Sequence, residues 1–109
     1  MTRCAHLERR GGVPVVVVDV ADWLDASTAP GVADVLGRAL DGAPAEVVVD
    51  LTATEMVDPF ALGVLARAEG RARRQGTVVR LAGANARVRR VRDLVGLEQR
   101  LPDLEEVPT

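Results

Sequence analysis

The apolar run at positions 47–51 constrains this chain most. Three consecutive valines, closed by Asp50 and a leucine, are typical of a strand buried on both faces, as the centre of a parallel sheet requires. A loop is expected over residues 52–57. It ends at Asp58, whose carboxylate can accept from the free N–H groups of a helix start, and Pro59 suits the first helical position. The pattern predicts a strand–loop–helix junction at the carboxyl end of a strand, where open α/β sheets place their sites.

The rest of the chain alternates strand and helix patterns. A hairpin is expected around the Gly11-Gly12 turn, and apolar residues recur at helical spacing in the later helical segments. Ser27 or Thr28 is expected to cap the first helix, whereas Trp23 is placed in a loop and is expected to pack over the end of the sheet. The predicted strands are 5–9, 13–20, 46–51 and 77–82, with a short last edge strand at 101–102, and the predicted helices are 30–41, 85–95 and one that begins at 59.

This β-β-α-β-α-β-α order predicts an α/β fold in which residues 1–109 form a single domain. Successive βα units with short links favour a mainly parallel sheet with right-handed crossovers, and the first hairpin adds an antiparallel edge. We therefore expect a mixed, mostly parallel sheet of four to five strands with three to four helices. A chain of 109 residues is long enough for one hydrophobic core.

The composition limits the classes of function. The chain is 48% hydrophobic and 28% charged, which is ordinary for a globular protein. No apolar run approaches the roughly 20 residues that span a bilayer, and the N-terminus lacks the apolar segment of a signal peptide, so we expect a cytoplasmic protein without membrane insertion. Cys4 and His6 supply too few ligands for a zinc site. No metal and no cofactor are expected.

Charge is distributed unevenly along the chain. Residues 13–58 carry nine acidic residues and one arginine, whereas residues 59–92 carry nine arginines and one glutamate. The arginines between Arg67 and Arg92 are interpreted as a solvated helix face, or as a surface for an acidic protein partner or a second copy of the chain in a homodimer. Nucleic-acid binding is not expected, because no aromatic residues are interleaved with the arginines and the pI is about 5.4.

Three segments taken together resemble the STAS domain, the module shared by sulfate transporters and bacterial anti-sigma factor antagonists. They occur in the order that the family has and cover nearly the whole chain. The segments are Leu-Asp-Ala-Ser-Thr-Ala-Pro at 24–30, Val-Val-Asp-Leu at 48–51 leading through 57–58 to Leu-Gly-Val-Leu at 62–65, and Val-Arg-Leu-Ala-Gly at 79–83 followed by Val91 and Gly-Leu at 96–97.

The resemblance implies a STAS-like binding module without catalysis of its own. Family members of this size bind a serine-kinase anti-sigma factor of the GHKL ATPase fold and are switched off by phosphorylation. The acceptor is a serine in an Asp-Ser-Ser-Gly-Leu-Gly motif, which falls on residues 58–63 of this chain. The phosphorylated position is Phe60 and the serine before it is Pro59, and neither can accept a phosphate. The resemblance therefore implies that the phosphoacceptor is lost here.

The same resemblance places the partner-binding surface at this junction. Phe60 is interpreted as a permanent contact, as a plug that closes the usual surface, or as an inward-facing core residue. Asp25 is either a partner contact or a turn residue that bonds its own backbone. Thr52 and Thr54 are the nearest hydroxyls that could replace the lost acceptor. The predicted partner-binding residues are Asp25, Ser27, Asp58, Pro59, Phe60, Ala61 and Gly63.

Several functional hypotheses stay open at this point. The favoured one is an anti-sigma factor antagonist homologue that binds a GHKL-type kinase and is not phosphorylated at the usual site. The alternatives are a small STAS subunit that binds the ATPase of a lipid-type ABC transporter, and a degenerate STAS scaffold. An enzyme is not expected, because the sequence offers no paired carboxylates at a pocket, no phosphate-cradling glycine loop and no triad spacing.

Overall fold

The computed structural model describes residues 4–20 and 22–104. Within these residues, strands and helices alternate largely as the sequence predicts. The strands are β1 (Cys4–Arg10), β2 (Val13–Asp19), β3 (Asp22–Leu24), β4 (Glu46–Asp50), β5 (Thr54–Val57) and β6 (Val78–Ala82), and the helices are α1 (Ala29–Asp41), α2 (Pro59–Arg74) and α3 (Ala86–Leu94).

Four strands form the main sheet in the order β1-β2-β4-β6. β1 runs antiparallel to β2, whereas β2, β4 and β6 are parallel, so the predicted mixed and mostly parallel sheet is confirmed. In the register of the parallel strands, Val48 lies between Val17 and Arg80. β4 is thus a central strand, and its three valines are fully buried, as expected for a strand with both faces covered.

The side chains of the sheet alternate between two apolar clusters. The larger cluster includes Val47 and Val49 of β4 and packs against the buried faces of α1 and α2. In α1 the buried face includes Val32 and Leu36, spaced four residues apart as an amphipathic helix requires. Val48 points the other way, into a smaller cluster on the opposite face of the sheet.

Two segments that were expected to be loops are strands. β3 contains Trp23 and Leu24, and β5 occupies half of the stretch between β4 and α2. The two segments pair in parallel as a separate two-stranded sheet, with Trp23 beside Met56 and Leu24 beside Val57. The loop predictions were wrong because these segments are three and four residues long, and their partners lie about 30 residues away along the chain. Neither segment has a local pattern that reveals such pairing.

The edge strand expected at Leu101-Pro102 is reduced to a single bridge. Leu81 pairs in parallel with Asp103, and the Leu81 N–H donates to the Pro102 carbonyl at 2.9 Å. This bridge brings the C-terminal segment to the free edge of β6. Leu104 packs against the smaller apolar cluster from the same segment.

The ends of β4 and β6 meet closely at Gly83. This glycine has a φ of +69°, and an added Cβ would lie 3.0 Å from the Thr52 Cα, well inside normal contact. Thr52 cannot move away easily, because its N–H and its hydroxyl both donate to one oxygen of Asp50, at 2.9 and 2.6 Å. Only glycine satisfies both the backbone conformation and the space.

We expect Gly83→Ala to lower the free energy of unfolding by about 2–4 kcal/mol, since it combines left-handed strain with overpacking. Gly76→Ala is the matched control, because Gly76 has a φ of +83° but no atom within 4 Å of an added Cβ. The control should lose only the backbone part, about 1–2 kcal/mol. Urea denaturation of both variants measures the difference. Equal losses would show that the contact with Thr52 is not restrictive.

Candidate partner-binding site

Asp58 caps the start of α2, as the sequence predicts. Asp58 has an extended backbone, and its carboxylate accepts from the Ala61 N–H at 2.8 Å, which satisfies one of the free donors of the first turn. The Asp58 N–H donates to the Leu24 carbonyl at 3.0 Å. Pro59 occupies the first helical position. The helix start is therefore tied both to its own cap and to β3.

Three large apolar side chains lie exposed where the small sheet leads into α2. The exposed fractions are 52% for Trp23, 38% for Met56 and 60% for Phe60. Trp23 and Met56 are paired in the register of β3 and β5. Phe60 lies four residues after Met56, in the first turn of α2. We call these three residues the apolar edge. Phe60 is therefore not the core aromatic that one interpretation expected, and Trp23, which was expected to pack over the end of the sheet, is only half-buried.

Asp25 organises the loop between β3 and α1. One of its oxygens accepts from the Ser27 hydroxyl at 2.7 Å, from the Ser27 N–H at 2.9 Å and from the Thr28 N–H at 3.2 Å. These bonds, above all those from Ser27, hold the pKa of the Asp25 carboxyl below its ordinary value of 3.8. Asp25 is thus a turn residue that bonds its own loop, and it remains charged at neutral pH.

The helix cap expected from Ser27 or Thr28 takes a different form. Thr28 is the residue before α1, but its side chain makes no capping bond. Its hydroxyl instead donates to the Trp23 carbonyl at 2.9 Å and accepts from the Asp25 N–H at 3.0 Å. The predicted N-cap position at Thr28 is thus confirmed, but its side chain does not cap the helix, because the hydroxyl is engaged by the Trp23 carbonyl and the Asp25 N–H. The result is that the loop, β3 and α1 are held together beside the apolar edge.

The remaining predicted residues fall into exposed and buried groups. Pro59 and Gly63 are exposed on α2, whereas the Ala61 methyl is fully buried and only its N–H serves the junction. Thr54 is buried, and its hydroxyl donates to the Val20 carbonyl at 2.8 Å, which leaves it inaccessible. Thr52 is exposed.

Trp23 and Met56 are functional candidates that the sequence did not reveal. Each lies in a segment that was expected to be a loop, and only the pairing of β3 with β5 places the two side chains next to each other. Met56 precedes Asp58 by two residues, so proximity in sequence to the predicted junction was the only available indication.

Across residues 4–20 and 22–104, no three histidine, cysteine or acidic residues form a group that could hold a metal ion. The Cys4 side chain lies outside the described atoms, and the ring of His6 contacts Glu8 at 3.0 Å. The helices of the same residues include none with the length and apolar character needed to cross a membrane.

Comparison with known proteins defines the family. The family model described as the STAS domain matches residues 5–107. The chain belongs to the STAS domain family. No curated protein matches this sequence significantly.

Solved structures show the same fold. An anti-sigma factor antagonist from Mycobacterium paratuberculosis has a TM-score of 0.79 at 24% identity, over 97% of this chain and 88% of that one. The phosphorylated Bacillus cell fate determinant SpoIIAA has a TM-score of 0.65 at 18% identity, over 94% and 93%. A sulfate transporter family protein from Wolinella succinogenes has a TM-score of 0.67 at 20% identity, over 80% and 70%. The STAS-like α/β fold is therefore confirmed, and the anti-sigma factor antagonist from Mycobacterium paratuberculosis shares it.

Removal of the cap at Asp58 is expected to destabilise the junction. Asp58→Ala should lower the free energy of unfolding by about 1 kcal/mol, because the Ala61 N–H loses its acceptor. Asp58→Asn keeps an acceptor oxygen and should lose much less. Denaturant unfolding followed by far-UV circular dichroism measures both variants. If the alanine and asparagine variants are equally stable, the cap contributes nothing.

The Asp25 carboxyl should titrate higher when the Ser27 hydroxyl is removed. Ser27→Ala is expected to raise the pKa of Asp25 toward 3.8, whereas Ser27→Thr, which keeps a hydroxyl, should change it less. Carboxyl carbon chemical shifts followed by NMR over pH 2–6 (about the range where Asp titrates) report the change. Because the pKa of Asp25 is lower in the folded protein than in the unfolded chain, the ionised carboxylate stabilises the fold. This stabilisation is fully present above the unfolded pKa and is lost as the pH falls through the folded pKa.

Proposed function

We propose that this chain, as a single STAS-like domain in the cytoplasm, is a non-catalytic regulatory protein of the anti-sigma factor antagonist type. Its proposed partner is a serine-kinase anti-sigma factor of the GHKL ATPase fold. The observation that carries the proposal is the exposure of Phe60 at the start of α2, where the family motif has its phosphoacceptor serine.

The replacement of a hydroxyl by an aromatic ring changes the regulation of this site. Phosphorylation adds roughly two negative charges, which would be repelled by the carboxylate of Asp58 and would have to lose their water in an apolar contact. Phe60 cannot carry that charge, so the proposed complex is insensitive to the partner's kinase activity at this position. The loss of the acceptor thus removes the off-switch and leaves the docking surface in place.

The apolar edge supplies the contact area for such a complex. Exposed aromatic residues are favoured anchors at protein interfaces, because they bury a large area with few rotatable bonds. Trp23, Met56 and Phe60 together provide two aromatic rings and an adaptable thioether. Asp22 and Glu55 are exposed beside them, so this part of the surface favours a partner with a basic rim.

The experiment that tests this proposal is a pulldown from the native cytosol with ATP present, followed by phosphopeptide mass spectrometry. The wild type should recover a GHKL-type kinase and carry no phosphate at residues 58–63. Phe60→Ser should recover the same kinase and acquire phosphate on the introduced serine, which then weakens the complex.

A matched control is Leu7→Ser on β1, because Leu7 is 62% exposed and Phe60 is 60% exposed. The control should behave as the wild type does. Recovery of no GHKL-type kinase by the wild type, or unchanged recovery by Phe60→Ser with no phosphate, would overturn the proposal.

A further inference from the structure

A groove with an excess of positive charge runs along the exposed side of α2. It lies between this helix and the segment that follows α3, and its volume is about 580 Å³. We call it the basic groove. Its lining residues are Pro59, Gly63, Ala66, Arg67, Gly70, Arg73, Arg74, Val95, Leu97 and Arg100.

The groove is open because small residues form its floor. Gly63, Ala66 and Gly70 recur at intervals of three and four residues and therefore share one side of α2. An added Cβ at Gly63 would meet no atom within 4 Å, so nothing in the described chain fills this part of the groove. At Gly70 the added Cβ would lie 3.3 Å from an Arg100 nitrogen, because the Arg100 side chain crosses the helix there.

The arginines of the basic groove differ in their own ion pairs. The Arg100 Nε donates to Glu69 Oε1 at 2.9 Å, and the Arg100 guanidinium also donates to the Ala66 carbonyl. The Arg73 Nε lies 3.8 Å from the other carboxylate oxygen of Glu69. Among the residues that the structure describes, Glu69 is the only carboxylate paired with these side chains, and Arg67 and Arg74 are exposed without an ion pair. Two guanidinium groups therefore remain available to an incoming anionic group.

The groove is continuous with the proposed docking surface. Pro59 and Gly63 line its first part. Phe60 of the apolar edge is not itself a lining residue but follows Pro59 directly in the first turn of α2. A segment bound against Phe60 can thus continue along α2 toward Arg73 and Arg74. The charge of the bound segment would have to change along its length, because Asp58 lies at the start of α2 and the arginines lie in its later turns.

We propose that the basic groove binds an acidic, extended segment of the protein that docks on the apolar edge. This inference rests on the proposed function for the identity of the surface that the segment leads from. Glutamate or aspartate side chains of the segment would pair with Arg67 and Arg74, which can each bind a carboxylate in a bidentate manner. The open floor at Gly63 leaves room for the backbone of that segment.

A protein segment fits this surface better than a nucleic acid does. None of the described residues that line the groove is aromatic, so bases would find no stacking partner. A nucleic-acid backbone is negative along its whole length, and Glu55 and Asp58 would repel it at the helix start. A polypeptide can be acidic beside the arginines and apolar or basic beside the apolar edge.

The test uses a fluorescein-labelled peptide of eight glutamates, titrated with the full chain and followed by fluorescence anisotropy. Arg67→Glu/Arg74→Glu should weaken binding at least about tenfold, because two attractive contacts become repulsive. The matched control is Arg87→Glu/Arg90→Glu on α3, which makes the same change in net charge on exposed residues outside the groove. It should weaken binding less than about threefold, since screening limits the effect of distant charges.

Gly63→Leu separates occupation of the groove from general attraction. This variant leaves the net charge unchanged, places a side chain where the groove is empty, and improves helix propensity, so it is expected to fold. It should weaken peptide binding about fivefold or more if the segment lies in the groove, as a steric block does. Thermal unfolding of every variant verifies that the fold is intact.

The outcomes separate this inference from the proposed function. Absence of peptide binding, equal losses in the two double arginine variants, full binding by Gly63→Leu, or tighter and equally sensitive binding of a labelled oligo-dT would each overturn the groove inference. Peptide binding with the predicted losses, together with no GHKL-type kinase in the pulldown, would support the groove and overturn the proposed function. If the pulldown recovers the kinase and Arg67→Glu/Arg74→Glu does not reduce that recovery, the result would support the proposed function and overturn the groove inference.

Discussion

The burial of β4 between β2 and β6 is the constraint on which the rest of the structure depends. Its valines supply side chains to the apolar clusters on both faces of the sheet, so neither face can be left open to water. Three parallel strands then end at one edge, and the chain must turn there after each of them. After β4, the Asp50 carboxylate accepts from the Thr52 N–H and holds the turn. After β6, Gly83 allows the backbone to pass close to Thr52. The candidate site lies where this geometry brings the loops together.

The small β3–β5 sheet converts that edge into a surface. It holds Trp23 beside Met56, and the Asp58 N–H bonds the Leu24 carbonyl, so the start of α2 is positioned by the same sheet. The Thr28 hydroxyl ties this arrangement to α1. The backbone under the exposed aromatic residues is therefore held by strand pairing and by these hydrogen bonds, which reduces the ordering that binding of a partner would require.

Charge distinguishes the two surfaces that are proposed to bind partners. Asp22 and Glu55 are exposed beside the apolar edge, and Asp58 caps the helix there. Arg67 and Arg74 of α2, which form no ion pair with a described residue, line the basic groove. Arg71 shows why the number of arginines alone is a poor guide to function. Its guanidinium donates to the Asp41 carboxylate at 2.6 Å and to the Gly37 carbonyl, and these hydrogen bonds join α2 to α1. Position relative to carboxylates decides which arginines are available.

The sequence by itself determined the fold class, the central strand and the start of α2, because the valine run, the helical periodicity and the Asp58-Pro59 pair act through local propensity and burial. It also determined that Phe60 cannot accept a phosphate. Only the tertiary structure decided that residues 22–24 and 54–57 are strands, that Thr28 bonds β3 rather than capping α1, and that Phe60 points outward. The two strands depend on partners about 30 residues away, and the outward position of Phe60 depends on packing. The Thr28 bond depends on where the fold holds the Trp23 carbonyl, five residues earlier. Short segments carry no periodic pattern that encodes any of these.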